Sequence, residues 1–231
     1  MKSILPYHSV QIFLKTKSPN LKSDGLTSVI LCSTMLEAFL QDIASWYSFV
    51  NKAKTKIGDF ERTGAIRHLD GFSEISSREI EILEFIENLD KDNESLTDRY
   101  YKLYLFLTDK EWSRGAEPYQ DFYNLISIRN SVTHLKTEPL KIDKETGKVS
   151  REALPKPLRN LGQKGVLSLN NMKDSWIDSL SSNKFVEWCQ LSSLKIIDEI
   201  FHALPNQDIT KMFQQEYLYA LGIDIMTPAD Q

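Results

Sequence analysis

Residues 24 to 52, DGLTSVILCSTMLEAFLQDIASWYSFVNK, decide the class of fold. Leu26, Val29, Cys32, Leu36, Leu40, Ile43, Tyr47 and Val50 recur at three- and four-residue spacing, the period of a helix with one broad apolar face. Asp24 stands where an N-cap would accept the first backbone N–H groups, and nothing inside the run breaks the pattern. Glu37 falls at the border of the apolar face, where a carboxylate is usually solvated or pairs with an Arg, so it carries little functional weight.

Working outward, the same period recurs along most of the chain. After a Gly-containing, irregular stretch at 53 to 76, Ser76 and Ser77 lead into REIEILEFIENL, and Ser95 and Thr97 precede DRYYKLYLFL, a third helix with an aromatic-rich face. Pro118 fits the first turn of a fourth helix carrying Phe122, Leu125, Ile126, Ile128 and Val132. Periodicity fails from about 135 to 170, where Pro139, Pro155, Pro157, Gly147, Gly162 and Gly165 accumulate. There LKIDKETGKVS alternates around a turn-like ETG, the pattern of a short β-hairpin, and VLSL reads as another extended piece. Helical period returns with Trp176, Ile177 and Leu180, continues from Phe185 to Phe201, and stops at Pro205. A last short helix is expected over 208 to 220, and residues 225 to 231 read as a disordered tail. The expected fold is therefore all-α: one helical-bundle domain over 1 to 231, with an irregular insertion or long loop at about 135 to 170.

Composition narrows the function. With 41% hydrophobic and 26% charged residues the chain is an ordinary globular protein, and no uninterrupted apolar run nears the roughly 18 residues that span a bilayer. The opening MKSILPYHSVQIF places a proline and a histidine where an export signal needs its apolar stretch, so a cytoplasmic protein without a membrane partner is expected. Cys32 and Cys189 sit inside amphipathic patterns and read as buried reduced thiols. Four scattered histidines and no Cys/His cluster point away from a metal site, and no cofactor motif is present, so any chemistry here is expected to need no metal.

The candidate site lies where the fourth helical pattern ends, in DFYNLISIRNSVTHLK, at Arg129, Asn130 and His134. A permanently charged guanidinium and an imidazole, the side-chain type that titrates near neutrality, suit a phosphodiester. Spacing alone is weak: with eight arginines and four histidines, some Arg five residues before a His arises by accident roughly one time in seven. Arg62 and His68, in RTGAIRH, would pass a loose version of the pattern, yet no apolar helix leads into them. At the second pair, Leu125, Ile126 and Ile128 anchor the motif on a core-facing helix, and Asn130 and His134 share a face if the helix continues that far. Arg129 is offset by about 100° from Asn130, but its long side chain can bend toward the same place.

An apolar helix followed by Arg-Asn-x-x-x-His resembles the signature of the HEPN superfamily, helical-bundle proteins that include ribonucleases of toxin–antitoxin, phage-defence and RNA-processing systems. The long opening helix with LEAFLQDIASW resembles the first helix of several members. The resemblance covers the helical order over about 24 to 134 and the final long helix, and the 135 to 170 segment departs from the compact core. It implies a metal-independent endoribonuclease, a toxin or phage-defence effector, with an antitoxin or a defence-system protein as a partner. RNA carries its own nucleophile, the 2′-hydroxyl, so cleavage needs a base, an acid and charge stabilisation at the phosphorane. His134 would act as base or acid, Arg129 would hold the phosphate oxygens, and Asn130 would add a hydrogen-bond donor. One chain supplies one such imidazole, and the resemblance implies a homodimer whose two motifs face one cleft, with 2′,3′-cyclic phosphate and 5′-hydroxyl products.

Charge patterning gives this some support. Between Lys136 and Lys164 eight bases meet four acids, a local +4 in a chain of net −4, and such a segment beside the motif could bind an RNA backbone. Between Glu74 and Asp98 nine acids meet two bases, a local −7 that fits a solvated outer face. Two other readings stand beside the nuclease. One is a catalytically silent HEPN-like module that binds RNA, a nucleotide or a protein partner. The other is a helical interaction protein in which Arg129 and His134 form a satisfied surface pair.

Overall fold

All regular structure among the described residues is helical. The computed structural model describes residues 6–55, 74–134, 154–168 and 176–222, with side chains at all of these except 53–55. It holds α1 (His8–Thr16), α2 (Gly25–Thr55), α3 (Ser77–Lys91), α4 (Leu96–Thr108), α5 (Tyr119–Thr133), α6 (Lys156–Gln163), α7 (Asn183–Ala203) and α8 (Asp208–Ala220). Short 3-10 turns cover Pro19–Leu21 and Trp176–Leu180. The all-α class expected from the periodicity is what the described residues form. The hairpin read at LKIDKETGKVS, the pair Arg62 and His68, and the tail lie outside them.

The described residues gather into two compact units. One draws on Met1–Gln11, Leu36–Trp112 and Ile197–Gln231, the other on Ile12–Met35 and Ser113–Ile196.

In the first unit, carboxylates from one helix cap the start of another. Asp42 of α2 accepts the backbone N–H groups of His8 and Ser9 at 3.1 and 3.0 Å and the Ser9 hydroxyl at 2.5 Å, satisfying the opening donors of α1. Burial pushes the Asp42 carboxyl above its ordinary pKa, although the hydrogen bonds from Ser9 and His8 oppose the rise. Glu79 serves two helix starts at once. Through Oε2 it accepts the Ser76 backbone N–H at 2.9 Å, completing the capping box of α3. Through Oε1 it accepts the Thr210 backbone N–H at 3.0 Å and the Thr210 hydroxyl at 2.8 Å. Gln207, the N-cap residue of α8, makes no side-chain cap bond, so Glu79 fills that role from another helix. The core beside these caps is aromatic: Phe39, Phe201, Phe213 and Tyr217 meet edge to face at centroid distances of 5.2 to 5.7 Å.

In the second unit, Asp24 caps α2, accepting the Thr27 backbone N–H at 2.9 Å as the sequence suggested. The Thr16 carbonyl near the end of α1 accepts from Gln190 at 2.9 Å, and Lys17 donates to the same glutamine amide at 3.1 Å. Cys32 and Cys189 are buried free thiols, and burial pushes the Cys32 thiol up to about 12.

Several expectations change. An 18-residue window within Gly25–Lys52 has a mean hydropathy of 1.3, so α2 is long and apolar enough to cross a membrane, although its apolar residues form no uninterrupted run of that length. More than half of that window, 56%, is buried inside the protein, as a core helix is. Leu26, assigned to the buried face, is exposed together with Ile30. The segment read as irregular contains α6, because Pro155 and Pro157 occupy the cap and first turn, where a missing N–H costs nothing. Gly165 follows that helix at φ +67, a conformation suited to a chain leaving a helix. Pro118 sits one residue before the first turn of α5, in the N-cap position. The run from Trp176 breaks at Ser182, whose hydroxyl accepts the Phe185 N–H at 3.2 Å and starts α7 separately.

Candidate functional site

Packing holds α5 firmly and leaves one side of it open. Phe122, Leu125, Ile126, Ile128 and Val132 are buried, so the rotation of the helix about its axis is fixed. Beyond Ile128 the sequence is polar except for Val132, and its hydroxyls close the last turn on itself. Ser131 donates to the Ser127 carbonyl at 2.9 Å, and Thr133 donates to the Arg129 and Asn130 carbonyls at 3.1 and 3.2 Å. The helix ends at Thr133. His134 is its C-cap residue, with φ −119 and ψ 44, and its backbone N–H donates to the Asn130 carbonyl at 3.0 Å.

This brings the three sequence-selected residues onto one turn. Asn130 and His134 are exposed and Arg129 is half-buried. The Arg129 side chain bends across the offset, and its Nη1 donates to Asn130 Oδ1 at 3.1 Å. With its oxygen turned to the guanidinium, the Asn130 amide can point its Nδ2 hydrogens at an anion. The amide oxygen engages Arg129, and the cap bond fixes the His134 backbone. Chemically the turn offers a cation, an amide donor and an imidazole to one exposed ligand.

A second helix packs against the earlier turns of α5. Lys164, the C-cap residue of α6, donates to Asp121 at 2.6 Å and to Glu117 at 3.0 Å, and Asn160 makes a long contact with Asn124 at 3.5 Å. Partner numbers rise along α5 as they fall along α6, so the helices run antiparallel. One further turn of that register brings the N-terminus of α6, with exposed Lys156, level with Ile128 and Arg129. Of the basic residues read in this segment, Lys164 is therefore a structural partner of buried Asp121, while Lys156 and Arg159 face solvent. Burial alone would lower the Lys164 pKa, but its bonds to Asp121 and Glu117 hold it above the ordinary value. A count of bases along the sequence does not separate the paired lysine from the solvated ones, since only the register distinguishes them.

The first unit offers a contrasting concavity. A surface cleft of about 360 Å³ is lined by Glu74, Ser76, Glu79, Gln207, Asp208 and Ile209. Three carboxylates repel a phosphodiester, and the Glu79 carboxylate is already taken by the helix starts of α3 and α8. Among the described residues no group of three or more His, Cys, Asp or Glu is arranged to hold a metal ion. Comparison of the chain with protein-family models, with curated proteins and with solved structures finds no match.

Proposed function

We propose that the chain is a metal-independent endoribonuclease of the HEPN type, with Arg129, Asn130 and His134 as its catalytic residues. The observation that carries this reading is the placement of the three at the C-terminal end of α5, with Arg129 hydrogen-bonded to Asn130 on its last turn and His134 exposed at its C-cap. The guanidinium and the Asn130 amide hold non-bridging phosphate oxygens and stabilise the charge that develops on them. The imidazole of His134 takes the proton of the 2′-hydroxyl or returns one to the departing 5′-oxygen. The 2′-oxygen bonds to phosphorus as the bond to the 5′-oxygen breaks, which yields a 2′,3′-cyclic phosphate and a 5′-hydroxyl. A homodimer supplies both imidazoles to one site, one as base and one as acid. The resemblance extends the proposal to a toxin or phage-defence effector in the cytoplasm, restrained by an antitoxin or a defence-system protein.

The test is incubation of the purified protein with structured and unstructured RNAs in excess chelator, beside His134→Ala and Arg129→Ala. Cleavage by wild type, reduced about 10²- to 10⁴-fold in either variant, supports the assignment. Equal cleavage by all three proteins removes these residues from the chemistry. RNA binding with no cleavage by any of them makes the chain a binding module.

A further inference from the structure

The face of α5 that carries Asn130 and His134 also carries an aromatic ring. Tyr123 is 53% exposed although its neighbours Phe122 and Asn124 are buried. It stands seven residues before Asn130 and eleven before His134, with Ser127 between, so the four positions fall within an arc of about 60°. Axially Tyr123 lies roughly 10 Å from Asn130, near enough for a base attached to a nucleotide adjoining the phosphate there. Two of the large apolar side chains exposed among the described residues are aromatic, Tyr123 and Tyr219, and Tyr123 is the one on the helix of the motif. A single exposed tyrosine is common on protein surfaces; its alignment with a phosphate-binding turn on one rigid helix is what gives this one a role.

We infer that Tyr123 is a stacking platform for an unpaired RNA base next to the scissile phosphate, and so favours single-stranded over duplex substrate. This rests on the proposed ribonuclease site and adds a specificity-determining residue to it. Every base has a π-face, so the platform accepts any base that can leave its stack and rejects one locked in a helix. Tyrosine suits the task because its ring loses little conformational freedom on binding.

The test measures binding of wild type, Tyr123→Ala and Tyr123→Phe to a short single-stranded 2′-O-methyl RNA, which lacks the nucleophile and is not cut. Inorganic polyphosphate, which has the charge and no bases, is the second probe. Tyr123→Ala is expected to weaken RNA binding about 5- to 100-fold with no change on polyphosphate, and Tyr123→Phe to stay within about twofold of wild type on both. Unchanged RNA binding by Tyr123→Ala, an equal loss on polyphosphate, or no RNA binding by wild type overturns the inference. The expected losses without cleavage of all-ribose RNA would leave the platform standing and the nuclease refuted; cleavage with Tyr123→Ala binding normally would do the reverse.

Discussion

Lys164, the C-cap residue of α6, reaches the buried Asp121 carboxylate at 2.6 Å and ties the end of α6 to the first turn of α5. Lys164→Ala leaves a buried carboxylate without its cation, a change expected to cost about 2 kcal/mol and to lower the melting temperature by about 4 to 8 °C. Chemical denaturation measures it. A variant as stable as wild type would show that the pair does not hold α6 in place.

The same lysine makes stability depend on acidity through Glu117. Hydrogen bonds from Lys164 and then Lys195 hold the Glu117 carboxyl below its ordinary value of 4.5. A carboxyl depressed in the folded state contributes stability above its unfolded pKa and loses it as pH falls through the folded value. Asp42 acts in the opposite sense, because its folded pKa is raised and its contribution fades as pH rises. Glu117→Gln should therefore flatten the loss of stability below about pH 4.5, read from urea midpoints across that range. An unchanged acid limb counts against the link.

Glu79 closes the helix starts of α3 and α8 together. Glu79→Ala strands a half-buried donor at α3 and buried donors at α8 and should cost about 3 kcal/mol, more than the loss of one ordinary cap. Glu79→Gln should recover only part of it, since one of its two side-chain atoms no longer accepts. Thermal unfolding distinguishes the two.

Gly25 opens α2, where alanine would normally be welcome. Here a Cβ would lie 2.0 Å from the Leu180 carbonyl oxygen and 2.6 Å from a Phe185 ring carbon. The backbone oxygen cannot swing aside, so Gly25→Ala should destabilise by about 2 kcal/mol or more. A neutral outcome in a denaturation curve would mean that the 3-10 turn before α7 yields easily.

Much of this was written in the sequence, and the failures have identifiable causes. The apolar period from Val29 to Val50 marked α2, Asp24 and Ser76 marked helix starts, and the last helix begins at Asp208 and ends at Ala220 as expected. Those signals are local. α6 went unread because Pro155, Pro157 and Gly162 look like loop residues until their positions at helix ends are known. Leu26 followed the period yet is exposed, since period says which residues share a face and not how far the neighbours extend over it. At the site, the sequence picked out Arg129, Asn130 and His134 but not the Arg129–Asn130 bond, the register of α6, or Tyr123, whose exposure depends on what packs beside α5.

The proposed pairing of two motifs makes oligomeric state a separate question. Light scattering at micromolar concentration should give twice the mass of the 26.7 kDa chain. A strictly monomeric protein would remove the composite site while leaving the single-chain geometry intact.

The ends of the RNA fragments test the proposed chemistry most directly. Cleavage by in-line attack of the 2′-hydroxyl, run in excess chelator, leaves 5′ ends that polynucleotide kinase labels without prior dephosphorylation, and 3′ ends closed as 2′,3′-cyclic phosphates. Fragments bearing 5′-phosphates, or RNA left whole by the wild-type protein, would contradict a site in which Arg129, Asn130 and His134 cut RNA through its own 2′-oxygen.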